Sequence, residues 1–226
     1  MQKEQNDTVL RSYKMVSDRG FAPNPYEGFL TLATCKPGIR KCHEVGHWLA
    51  GFTSKKLNGD EIGKEKLVYL AKIDDTFPME EYYEKYPQKR TCPRADNIYE
   101  IQNGVWKIVN KAIHNESHQE KDLSGKNVLV AKQYYYFGKN ALDIQEVREK
   151  IRMPPGQSSY GWLTTGKAAA DFIEWVKKEA EKISPQGGML GDPHGCPEIQ
   201  VVPGKDTSLT ASCGHLGIQF SQKGCS

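Results

Sequence analysis

The chain has 226 residues, with Lys+Arg 31 against Asp+Glu 28, a formal net charge of +3 and 38% hydrophobic side chains. That length buries a core without disulfide staples, and the near-balanced charge excludes a dedicated, strongly basic duplex binder. No run approaches the roughly 18 apolar residues of a membrane helix, and residues 1–7 hold no apolar leader segment, so a cytoplasmic location is expected.

Residues 9–17 read as a first strand, followed by a loop over 18–28 carrying Pro23-Asn24-Pro25. Each proline fixes its own φ and keeps the preceding residue out of the helical region. Residues 30–35 alternate and form a second strand; Pro37-Gly38 breaks the chain. A third strand spans 48–53, a turn sits at Asn58-Gly59-Asp60, and a fourth strand spans 66–77. Pro78 opens a short helix over 79–85. Residues 87–104 are mostly loop, 105–109 and 127–137 are strands, and 142–152 a helix stopped by Pro154-Pro155. Residues 165–183 make the clearest helix, with Ala169, Phe172, Ile173, Val176 and Ala180 at three- and four-residue steps. The sum is an α+β fold: a small curved sheet or β-barrel with two or three flanking helices. The expected division is one domain over 1–183 and a loosely ordered tail over 184–226, with room for one short strand pairing.

The most conspicuous motif is His43-Glu44-Val45-Gly46-His47. On a helix, the two imidazoles of such a pattern share a zinc and the glutamate acts as base. The surroundings argue against it: Ala50 and Thr53 stand where a metzincin needs glycine and histidine, and a strand follows at once. Gly161 to Lys167 is a near-miss to a phosphate-binding loop, but Ala168 replaces the hydroxyl that holds magnesium. An ordinary helix start capped by Thr164 or Thr165 fits better. His114 and His118, with Cys92, form a further candidate metal set, with a solvated loop as the plainer reading. So do His194, Cys196, Cys213 and His215 in the tail, at unusual one-residue spacings. The six cysteines form no Cys-x-x-Cys pair and are expected to be reduced. No metal and no cofactor is called for.

Five basic residues (Lys36, Arg40, Lys41, Lys55, Lys56) face one acid, Glu44, between 36 and 56. This makes a basic loop suited to an anionic ligand. Tyr26 and Tyr99 are loop aromatics suited to stacking on a base. Asn24, Asp96 and Asn97 offer the amides and carboxylate that would set base identity. Alternate members of the run 134–137 must face opposite sides of a strand, so part of it is core.

The blocks Gly20-Phe21-Ala22-Pro23-Asn24-Pro25-Tyr26-x-Gly28 and Thr31-Leu32-Ala33-Thr34-Cys35-Lys36-Pro37-x-Ile39-Arg40 resemble the nucleotide modification associated domain, type two, of bacteria and their phages. Gly46-x-Trp48-Leu49-x-Gly51, Asp96-Asn97-Ile98-Tyr99 and Tyr136-Phe137-Gly138 fit as well. The position of His47 is usually aspartate in that family, so this histidine completes the zinc-like pattern by substitution. The resemblance implies work beside DNA base modification and defence systems. By analogy of strand layout it also implies a PUA-like barrel, with residues 23–26, 35–40 and 96–99 converging on one pocket. The expected function is binding of a modified nucleotide or base, free or within DNA, with Lys36 and Arg40 on phosphate. The alternatives are a nucleotide-processing enzyme, with Cys35 as nucleophile or Asp96 as general base, and a zinc hydrolase through His43, Glu44 and His47. No membrane partner is expected.

Overall fold

The computed structural model describes residues 7–90, 94–111, 113–153, 156 and 160–195. In chain order its strands begin with β1 (Val9–Lys14) and β2 (Leu30–Leu32), helix α1 (Pro37–Cys42), β3 (Trp48–Phe52) and a single-turn α2 (Lys55–Asn58). Then come β4 (Leu67–Lys72), β5 (Asp75–Pro78), α3 (Met79–Lys85), β6 (Tyr99–Gln102), β7 (Val105–Ile108) and α4 (Glu116–Leu123). The chain continues through β8 (Asn127–Ala131), β9 (Gln133–Tyr136), β10 (Trp162–Thr165), α5 (Gly166–Glu181) and β11 (Gly188–Met189).

Six strands pair in the order β10-β1-β3-β4-β9-β11, three in the order β2-β8-β5, and β6 with β7 as a hairpin. The fold is α+β, and its sheets stay open rather than closing into a barrel among the described residues. The six-stranded sheet is apolar on both faces because its strands alternate between two cores. Trp48, Ala50 and Phe52 of β3 join Tyr135 and Phe137 under α5, where Phe172, Ile173 and Val176 cover them. Leu49, Tyr69, Tyr134 and Tyr136 face the other way, against Leu30 and Leu32 of β2 and Leu129 and Ala131 of β8. The result is three layers, helix on sheet on sheet. Each fully buried Phe or Leu contributes about 1.5–3 kcal/mol to that packing. Gly51 on β3 has no side chain because the Tyr69 ring and Met15 sulfur occupy the space a Cβ would need.

Several sequence expectations shift. The strand expected over 66–77 is two, β4 and β5, separated at Ile73 and Asp74 and placed in different sheets. The strand over 127–137 likewise divides at Lys132 into β8 and β9. Asp74 accepts from the Lys132 backbone N–H at 2.6 Å and stabilises that corner. Pro37-Gly38 does not merely break the chain: Pro37 takes the first position of α1, where its missing N–H costs nothing. Residues 142–152 form no α-helix: Leu142 bridges to Leu67, and turns follow, with a 3-10 turn at Arg148–Lys150. Thr165 is the N-cap residue of α5 but makes no side-chain cap, and Thr164 accepts from the Arg152 N–H instead. Beyond residue 183, β11 pairs in parallel with β9.

Candidate functional site

β2 ends at Leu32, and two residues later the backbone turns sharply into α1. Cys35 and Lys36 both take left-handed conformations, with φ of 56° and 39°. Neither is glycine, so each costs on the order of 1–3 kcal/mol of backbone strain. A side chain at a strained strand-to-helix corner is lifted clear of both elements, as nucleophile elbows require.

α4 supplies the partners. The antiparallel register of β2 with β8 brings the end of α4, which leads into β8, beside the corner at Cys35. Asp122, in the last turn of α4, is buried and accepts the Cys35 backbone N–H through Oδ1 at 2.7 Å. Its Oδ2 lies 2.5 Å from His114 Nδ1 and also accepts the Tyr99 hydroxyl at 2.9 Å. The other ring nitrogen of His114, Nε2, is 3.6 Å from Cys35 Sγ. Sulfur, imidazole and carboxylate therefore form one connected cluster. His114 is 9% exposed. Its ring is stacked on His118 at 4.3 Å between centroids and meets the Phe21 ring edge-on at 4.8 Å. His118 is itself fixed, because it closes the capping box of α4 with Asn115.

The electrostatics follow from this geometry. Burial disfavours the His114 imidazolium, but the hydrogen bond to Asp122 and then the contact with Cys35 outweigh it and raise the pKa to about 9. Burial opposes the Asp122 carboxylate too, yet His114 beside it holds its pKa below the usual value. Burial and the neighbouring Asp122 push the Tyr99 phenol up, so it remains a donor. The donor atoms of Cys35, His114 and Asp122 all lie within 4.8 Å of one another. Both Asp122 oxygens and His114 Nδ1 are already hydrogen-bonded within the cluster. Counted one atom per residue, the cluster offers three ligand atoms, one fewer than a closed tetrahedral zinc site takes.

Cys35 lines a cavity of about 280 Å³ together with Tyr13, Met15, Phe21, Lys36, Ile113 and His118 among others. Of the residues the sequence put forward for ligand contact, Cys35 and Lys36 line it. Tyr99 reaches the cluster only through its hydroxyl on Asp122. Arg40 is completely buried and clamps the corner from behind. Its Nε donates to the Cys35 carbonyl at 2.9 Å, Nη1 to the Asn127 carbonyl at 2.7 Å, and Nη2 to the Asp122 carbonyl. Burial lowers its pKa to about 10, still charged at neutrality. Gly125 lies against this guanidinium, leaving no room for a Cβ.

The other expected ligand residues sit in a second cluster. Asn24 is buried and accepts from Lys89 Nζ at 3.1 Å. Lys89 also donates to the carbonyls of Tyr26 and Phe29, at 2.6 and 2.8 Å. The Arg94 guanidinium lies over the Tyr26 ring at 4.1 Å. Asp96 is buried, accepting from Thr31 at 2.6 Å and Tyr82 at 2.7 Å. Burial raises its pKa to about 6, against the pull of Lys89. Asn97 donates to the carbonyls of Tyr82, Tyr83 and Tyr86. These groups lock the loop before β2 against α3.

His43 and His47 are not on one helical turn. α1 ends at Cys42, and His43 is already extended. His43 is buried against the Ile39 carbonyl, and His47 accepts from the Glu44 N–H at 3.3 Å. His114 does not lie in a solvated loop, and its partner Cys92 from the sequence reading lies outside the described residues. So do Cys196, Cys213 and His215; His194 pairs instead with Asp18 at 2.9 Å. Sequence reasoning missed His114 and Asp122 as partners of Cys35. Only the Asn115-to-His118 cap spacing hinted at a helix there, and histidine is not the usual third residue of a capping box.

A family model, nucleotide modification associated domain 2, matches residues 8–196. The chain belongs to the nucleotide modification associated domain 2 family. The match takes in the corner at Cys35, all of α4 and β11, so the whole cluster lies inside the family domain. No curated protein and no solved structure matches the chain. Among the described residues no helix is long and apolar enough to cross a membrane.

Proposed function

We propose that this family member is a nucleotide-processing enzyme in which Cys35 is the nucleophile, His114 its proton partner and Asp122 the residue that orients His114. The observation that carries the reading is the pair of contacts that joins Cys35 Sγ to His114 and His114 to Asp122, at 3.6 and 2.5 Å, at the wall of a cavity. With a pKa of about 9, His114 holds its proton through neutrality. Cys35 Sγ then attacks beside the His114 imidazolium, and His114 gives its proton to the leaving group. Asp122 holds Nδ1 and so orients the ring, aiming Nε2 at sulfur. The nucleotide half of the reading rests on the family's description. Tyr13 and Phe21 are among the side chains that line the cavity. Asn24, Arg40, Asp96 and Asn97 then support the site from outside it.

Cys42 is exposed and serves as an internal reference. In intact protein treated with iodoacetamide at pH 6 and read by peptide mass spectrometry, Cys35 should label about 100-fold faster than Cys42. His114→Ala should abolish the difference. Equal labelling of the two thiols in the parent protein would overturn the reading. Binding of a modified nucleotide without chemistry is then what remains, and a Cys35→Ser variant with full nucleotide affinity and no lost turnover would support it.

A further inference from the structure

A thiolate and a proton donor complete only half of an acyl-transfer site. The other half is a donor for the carbonyl oxygen, which becomes negative when the nucleophile adds. The nucleophile's own backbone N–H commonly takes part, but here it is committed to Asp122 Oδ1 at 2.7 Å. Pro37, two residues on, has no N–H. The side chain of Lys36 faces the same cavity as Cys35. Its Nζ sits 4.8 Å from the Tyr13 ring centroid and, among the described residues, makes a single long bond of 3.5 Å to the Lys14 carbonyl. Among the described residues no carboxylate pairs with it, so donors remain for a ligand. Burial of the ammonium lowers its pKa, outweighing the opposite pull of the neighbouring Cys35.

We propose that the cavity takes an acyl substrate and that Lys36 is the electrophilic group for its carbonyl oxygen. The proposal rests on Cys35 being the nucleophile. Cys35 Sγ bonds to the carbonyl carbon, and the C=O π pair moves onto oxygen, facing Lys36 Nζ. Collapse restores the carbonyl and expels the leaving group, which takes its proton from His114 Nε2. The thioester then passes to water or to a nucleotide amine or hydroxyl, whose proton goes to His114.

Two probes separate this idea from the one beneath it. p-Nitrophenyl acetate acylates a thiolate through an oxyanion, whereas iodoacetamide alkylates it by displacement with none. Both rates are measured on folded parent, Lys36→Met and Lys36→Arg proteins, each on the pH plateau of its own profile, with circular dichroism and melting as the folding control. Lys36→Met should slow acylation by about 100-fold and alkylation by no more than about threefold, and Lys36→Arg should recover most of the acylation. Equal effects on both rates, no effect on either, or no acylation of a parent protein whose alkylation depends on His114, would each overturn the role of Lys36. Alkylation independent of His114 would instead bring down the nucleophile assignment itself.

Discussion

His43 and His47 follow the last residue of α1, while His114 and His118 flank the N-cap of α4. Both pairs have the four-residue spacing that suggests one helical face, and neither lies wholly on a helix. What separates them is the group each ring meets. His43 Nδ1 faces the Ile39 carbonyl at 3.2 Å, and burial pushes its pKa down to about 4 despite that bond. His114 Nδ1 faces a buried carboxylate, and its pKa goes the other way, to about 9. One ring stays neutral in the core and the other carries a proton beside a thiol. A histidine motif therefore has the chemistry of its second-layer partner, not of its spacing.

The largest effect that would break this comparison is on thiol reactivity. Cys35→Ala removes the fast-labelling thiol outright, and His114→Ala should slow Cys35 alkylation at pH 6 by about 100-fold. His43→Ala and His47→Ala should leave it unchanged, and a comparable loss from either would erase the distinction. Stability comes next. Asp122→Ala leaves a buried imidazolium without its partner and should lower unfolding free energy in urea by about 3–5 kcal/mol. Arg40→Met strands three carbonyls and should cost about 2–4 kcal/mol by the same assay. If Arg40→Met proves neutral in stability, the clamp is not structural.

The smallest effect is a pH dependence. The folded pKa of His114, about 9, lies above its ordinary value of 6.5. Its stabilisation is therefore fully present below about pH 6.5 and is lost as pH rises through about 9. The difference in melting temperature between parent and His114→Ala should shrink steadily across that window. A difference that grows with pH would reverse the assignment of charge.

The regular parts of the fold were legible where burial imposes a period. β1, β3 and α5 lie within the expected ranges, trimmed at their ends, and α3 spans the expected residues. The site was legible only in its first residue. Cys35 stood out among cations, but Lys36 and Arg40 beside it take different roles, one on the cavity and one wholly behind it. α4 was missed because Glu116 to Leu123 contains a single apolar side chain, Leu123, and so has no apolar stripe. Its helix is held by a cap at one end and by Asp122 contacts at the other. Asn24, Asp96 and Asn97 have the residue types of base recognition, yet their polar atoms fasten a loop. Composition does not distinguish a polar group facing a ligand from one facing a backbone carbonyl.

The pairing of β2 with β8 also sets a clock during synthesis. Cys35 leaves the ribosome about 80 residues before His114 and about 100 before the end of β8, an interval of roughly 5–20 s at 5–20 residues per second. Until β8 docks on β2, the thiol has neither its imidazole nor its carboxylate. The nascent chain therefore carries a Cys35 without these partners, and the cluster comes into being only once β8 has paired with β2.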